Sequence, residues 1–251
     1  MNTPKVKFID IRLSKEVDWM YGFLFQNKWG WSKYIIRKHP KIKKIFSLKT
    51  ETEQIKFLKD YIIRFKKKNQ KIIEKNKIKY QTDWQKIEKN FFINLSEILQ
   101  TDWPKNKKII KAMISVNPIC PRFLNDWSFS IFYNYKKTPH AMEVIMHECC
   151  HFLYFKKWKE IYPKMNNKKF ESPYIEWHLS EIVAPVILND QRIQKLLKQK
   201  AIFYEEYKKI KINNKNVPQY FTELYKDSKN FKVFLNKSYQ ILKHNKNFFD
   251  F

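Results

Sequence analysis

Val144-Ile145-Met146-His147-Glu148-Cys149-Cys150-His151-Phe152-Leu153 sets two histidines four positions apart in a run whose only charge is Glu148 and which contains neither Pro nor Gly. In a helix, residues at i and i+4 share one face with Cβ atoms about 5 to 6 Å apart, close enough for two ring nitrogens to reach one tetrahedral ion. Glu148 projects from the next position round, an offset that suits a carboxylate acting on a water beside the ion rather than on the ion itself. With six His and fifteen Glu in 251 residues, random placement yields roughly 0.01 His-Glu-x-x-His patterns per chain. The bland reading is two satisfied histidines on a core helix. The bulky apolar flanks suit either reading, and the spacing favours a metal. Cys149 and Cys150 point to other faces than the histidines, so they are expected to be small buried packing residues rather than thiolate ligands.

Three further stretches extend the pattern. Trp127-Ser128-Phe129-Ser130-Ile131-Phe132-Tyr133 alternates apolar and mostly small polar residues, the period-two signal of a half-buried strand. Thr138 followed by Pro139 fits a helix N-cap and first helical residue opening the His147 helix. Glu181, thirty residues beyond His151, lies in Trp177-His178-Leu179-Ser180-Glu181-Ile182-Val183-Ala184.

With these residues the chain resembles the zincin metallopeptidases over roughly residues 127 to 188. Their layout is an edge strand that aligns substrate, a motif helix, and a second helix with a third ligand. A metzincin continues His-x-x-Gly-x-x-His, but Tyr154 and Lys157 occupy those places here, which excludes that branch. The stretch ending Glu181-Ile182-Val183-Ala184 resembles the Glu-x-x-Ala segment of the gluzincin branch, and this resemblance implies Glu181 as third zinc ligand beside His147 and His151. The chain departs from that pattern at Ser180, where an Asn is common, and at Pro185, where an acidic residue is common; Pro185 is also expected to kink or restart the helix. His178 and Glu176 are the alternative third ligands.

The resemblance further implies a Zn²⁺ cofactor, Glu148 as general base, and hydrolysis of a peptide or protein substrate. The strand from Phe129 to Tyr133 is then expected to pair with an extended peptide. No signature for capturing a free amino terminus is visible, which points to an endopeptidase. His178, Tyr204, Tyr220 and His244 are candidates to stabilise an oxyanion. Two other readings stand beside it: a nucleic-acid-associated metalloprotease, and a non-hydrolytic binding or toxin-antitoxin protein on the same fold.

Composition bounds what remains. Hydrophobic residues make up 43% of the chain and aromatics 17%, which favours a folded globular core over disorder. The formal net charge is +27, and such a balance can serve a phosphate backbone. The excess is nearly all Lys, however, with Arg only at positions 12, 37, 64, 122 and 192. Solvated Lys faces are therefore expected, with nucleic acid as a partner not favoured. Three Cys without paired spacing argue against a disulfide framework and a zinc ribbon. Two glycines, Gly22 and Gly30, leave no Gly-rich phosphate loop. No apolar run suits a signal peptide or a membrane span, so a cytoplasmic protein is expected.

Taken in order, Lys5 to Leu13 has the apolar content of a core strand, and Ser14 can cap a helix through Trp19, Tyr21 and Phe25. The turn at Trp29-Gly30-Trp31 follows. Thr50-Glu51-Thr52-Glu53 is a capping box for a helix carrying Ile55, Leu58, Ile62 and Phe65 and closed by Lys66-Lys67-Lys68. Thr82-Asp83-Trp84-Gln85 is expected to open another. Ile109 to Val116 is a strand candidate, Lys164 to Lys169 a surface loop, and the chain beyond Pro185 is helical again. The expectation is an α+β fold, predominantly helical, with a small mixed sheet packed on the metal-binding helix. Residues 1–105 form a mainly helical N-terminal region with one leading strand, and 106–251 a zincin-like core with C-terminal helices.

Overall fold

The structure, a computed structural model, describes residues 3–26, 30–135 and 138–249. The fold is α+β and predominantly helical, with a four-stranded mixed sheet and a two-stranded one. Two compact units interleave along the chain. One is Lys5–Lys86 with Ile109–Val144, the other Ile87–Lys108 with the chain from Ile145 onward. No helix among the described residues is long and apolar enough to cross a membrane.

The first unit holds the larger sheet. Strands β1 (Lys5–Asp10), β2 (Ile109–Ser115) and β4 (Ser128–Phe132) run parallel, and β3 (Arg122–Phe123) pairs antiparallel, in the order β1-β2-β4-β3. The sequence expectation for the strand at 127–133 needs two corrections. It starts at Ser128, because Trp127 sits at φ 48°, and all five of its residues are buried. Interior parallel strands are covered on both faces and lose the in/out alternation, so Ser128 and Ser130 are small buried residues rather than a solvent face. Nor is β4 an edge. It pairs with β2 on one side, while β3 and the Pro121 carbonyl, which accepts from Ser130 N, occupy the other. From Ser128 to Ser130 the main chain on that side is therefore already paired.

Around this sheet lie α1 (Leu13–Phe25), α2 (Trp31–Lys38) and α3 (Glu51–Gln85). Ser14 does not cap α1; Arg12 occupies the N-cap without a side-chain bond. Gly30 precedes α2 at φ 65°, a conformation other residues adopt only with strain; Trp29 lies outside the described residues. The capping box at Thr50 and Glu53 forms both of its reciprocal bonds. Lys66-Lys67-Lys68 does not end this helix, and Thr82 does not begin a new one: α3 runs unbroken for 35 residues. No Gly or Pro falls between 51 and 103, and the buried face continues through Ile73, Tyr80 and Trp84. Lys66 is drawn into an ion pair with Glu16 instead of acting as a terminus.

His39 is buried in this unit, with Nδ1 2.9 Å from the Tyr61 hydroxyl and Nε2 2.8 Å from the Val116 carbonyl. The neutral ring satisfies both, donating to Val116 and accepting from Tyr61. Burial lowers its pKa and nearby Lys38 adds to this, against the Val116 bond. A folded-state pKa below the unfolded value of about 6.5 means the unfolded chain binds the extra proton first, so stability falls as pH drops through about 6.5 toward the folded pKa. Urea midpoints measured from pH 7 to pH 5 should decline in wild type, and His39→Gln should flatten that decline. An unchanged slope in the variant would assign the acid sensitivity elsewhere.

The second unit is helical with a small hairpin: α4 (Glu88–Leu99), the body of α5 (Thr138–Ile161), α6 (Ile175–Leu188), α7 (Gln191–Leu197), α8 (Glu205–Lys209), α9 (Val217–Lys226) and α10 (Phe231–His244), with β5 (Lys211–Ile212) and β6 (Lys215–Asn216). The Lys164–Lys169 loop closes into a 3-10 turn, Asn167–Phe170. Aromatic contacts tie α5 to that turn and to α10. Phe155 packs against Phe170 with centroids 4.3 Å apart, and Trp158 meets Tyr239 edge-on at 4.9 Å. Asn216 and Asn230 cap α9 and α10 through backbone N–H groups three residues on. These contacts hold α5 and α6 as the framework of the site.

Candidate metal centre

Two helices carry the site, and both are buried nearly all round, which a helix achieves only when it is apolar on every face or its polar groups are paired. From His140 to Tyr162 the sequence has neither Gly nor Pro, and α5 stops at Ile161, two residues before Pro163. The capping role expected of Thr138 and Pro139 falls on side chains outside the described residues. In α6 every residue from Glu176 to Leu188 is buried. Pro185 is accommodated inside the helix without a restart, three residues before its end.

Across these helices His147, His151 and Glu181 converge, with one ligand atom from each lying within 4.8 Å of the others. Glu181 Oε2 is 3.1 Å from His147 Nε2, and Glu181 Oε1 is 3.4 Å from His151 Nε2. The two rings meet edge-on with centroids 4.6 Å apart. Donors on a tetrahedron of about 2.05 Å radius stand roughly 3.3 Å apart, close to the two separations between Glu181 and the histidines. Two imidazoles and a carboxylate are also a donor set that zinc accepts. The residues therefore fit a metal ion of this class. An imidazole N–H bonded to Glu181 would give a comparable distance at one ring, so metal titration is the measurement that separates the two arrangements.

Exposure differs across the site in a way that matters for chemistry. His151 and Glu181 are 1% and 3% exposed, whereas the His147 side chain is 18% exposed. Solvent thus reaches the group from the His147 side. Glu148, next to it on α5, is itself buried at 7% exposure.

The alternative ligands have other partners. Glu176 accepts from the Tyr239 hydroxyl at 2.7 Å and lies 3.7 Å from Lys169 Nζ, which ties α6 to α10 and the 3-10 turn. Burial, with the bond to Glu176, pushes the Tyr239 phenol up. His178 Nδ1 is 3.0 Å from the Tyr207 hydroxyl. Neither belongs to the convergent group. Sequence reading did not find Tyr239 and Tyr207, because they lie 63 and 29 residues from the groups they hold and carry no local signal. Of the other oxyanion candidates, Tyr204 is exposed and His244 Nδ1 bonds the Gln240 carbonyl on the surface of α10.

Cys149 and Cys150 are fully buried, as the sequence suggested. Burial, reinforced by the Glu148 carboxylate, pushes both thiols well above their ordinary range, and neither belongs to the convergent group. Comparison of the chain with protein-family models, with curated proteins and with solved structures returned no match.

Proposed function

We propose that this chain is a zinc-dependent metallopeptidase, gluzincin-like in its ligand set, cleaving internal peptide bonds. One observation carries the reading: His147, His151 and Glu181, singled out by spacing and resemblance, lie within 4.8 Å of one another. A zinc ion held there supplies Lewis acidity, bringing the pKa of a water down to about 7 and polarising a scissile carbonyl. Glu148, adjacent in sequence but outside that group, takes the proton from the attacking water and returns it to the departing amine nitrogen. The burial of Glu148 keeps bulk water from competing for that proton. His147 and His151 must be neutral to donate lone pairs, and Glu181 ionised. Three free cysteines suit a reducing, cytoplasmic setting.

Metal content tests this directly. Wild type purified without chelator should carry one zinc per chain, and His147→Ala and Glu181→Ala should each lose it. Zinc in large excess over its dissociation constant stabilises the folded state, by about 4 kcal/mol at a thousandfold excess, so chelation should lower the melting temperature of wild type alone. A wild type that holds no zinc and gains none on dialysis would end the enzyme reading. Retention of zinc by Glu181→Ala would remove Glu181 from the ligand set.

A further inference from the structure

Within its own unit, α3 presents two chemically different sides. On one, two cations are already neutralised, Lys66 by Glu16 and Lys77 by Asp10 and Glu74, with exposed Lys67 beside them. Asp10 and Glu74 help line a cavity of about 260 Å³ there, at the carboxyl ends of β1 and β2. The other side is different. Lys71, Lys75 and Lys79 follow one another at i, i+4 and i+8 and line a groove of about 530 Å³, walled by Asn76, Tyr80 and Tyr135.

Lys79 pairs with Asp83. Lys71 and Lys75 are exposed, and among the described residues neither has a carboxylate within ion-pair distance. Each step of four residues rises about 6 Å and turns only about 40° round the helix, so the three ammonium groups form a row along one wall. Exposed Lys68 and Arg64 extend that row toward the helix start.

We infer that this groove binds a nucleic-acid strand through its phosphates, without reading its bases. A row of like charges at regular spacing, in a chain of net charge +27, complements a polymer with one negative charge per repeat. Lys serves as a point-charge partner for phosphate, whereas bidentate base recognition calls for Arg. Arg64 is the sole Arg of α3, so binding is indifferent to base sequence. An anionic bilayer fits less well, because it requires a continuous apolar face beside the cations. Ile72 lines the groove, but of the other exposed isoleucines of α3 Ile63 stands on the opposite side of the helix and Ile78 about 120° round from Ile72, so they form no continuous apolar stripe beside the lysines. The groove lies in the unit without the His147–His151–Glu181 group, so the inference does not depend on bound metal.

Fluorescence anisotropy with labelled oligo(dT), somewhat longer than the ~16-nucleotide upper end of usual site sizes, tests it on the full chain. Wild type should bind with an affinity that falls steeply as salt rises. The charge-reversed triple variant Lys71→Glu, Lys75→Glu, Lys79→Glu should bind at least tenfold more weakly, and the neutral triple Lys→Gln should lose about 1.4 from the slope of log affinity against log salt, the share of the two lysines not already paired. A control triple of equal charge change at exposed Lys41, Lys43 and Lys44 should bind within about threefold of wild type. Equal losses in the groove and control triples would overturn the inference, as would binding of phosphatidylserine vesicles or poly-glutamate in place of the oligonucleotide. Circular dichroism of each variant confirms folding, and the Lys→Gln series serves if the reversed variant does not fold.

Discussion

Glu148→Gln is expected to reduce peptide hydrolysis by roughly 10²- to 10⁴-fold, the usual range for removing a positioned general base, while leaving zinc content unchanged. The amide has nearly the shape of the carboxylate, and Glu148 stands outside the convergent donors, so neither α5 nor the ligand set is disturbed. What is lost is the capacity to accept a proton. The loss should appear in kcat and kcat/KM alike, since proton transfer is felt in the transition state rather than in substrate binding. Cleavage of a quenched fluorescent peptide library by wild type and variant, with zinc measured on the same samples, gives the comparison. A fully active variant would place the base elsewhere. A variant that had lost its zinc would make Glu148 a ligand and revise the site.

Glu16→Ala is expected to destabilise the unit containing the larger sheet by about 3 kcal/mol, the lower end for breaking a buried ion pair from one side. Glu16 is fully buried on α1. Its Oε1 accepts from Ser115 Oγ and from Val116 N, both at 2.7 Å, and its other oxygen pairs with Lys66 Nζ. One carboxylate therefore joins α1, the end of β2 and the middle of α3. Removing it strands a backbone N–H and a hydroxyl away from water. Lys66, at 28% side-chain exposure, can recover part of its hydration, which holds the cost near the lower end. Gln at this position keeps an acceptor for Ser115 and Val116 and loses the ion pair, so Glu16→Gln should cost clearly less. Urea unfolding at pH 7 should show a lowered midpoint for Ala with little change in slope. Equal stability of Ala and wild type would mean that water replaces the carboxylate at no cost.

Features set by near neighbours in the chain were legible before any coordinates. His147 and His151 share a face because i and i+4 do so in any helix, and the Thr50–Glu53 box forms because its partners are three residues apart. Strands β1 and β2 follow from short apolar runs. Glu181 came from the likeness of its segment to a known family pattern, and the structure brings it to the two histidines.

Other features depended on what packs against what. The triple lysine at 66–68 has the look of a helix end, but Glu16 captures Lys66 and the apolar face of α3 continues to Trp84. The serines of β4 resemble a solvent face, but neighbours on both sides make it an interior strand. Glu176 and His178 are the alternatives to Glu181 in the sequence, and only the fold shows Tyr239 and Tyr207 bonded to them. The lysines that composition assigned to solvated faces include three that wall a groove. Local hydrogen bonding and helical periodicity act over a few residues and so are written in the sequence itself. Burial, charge pairing and concavity are set by residues tens of positions away, and only the folded chain determines them.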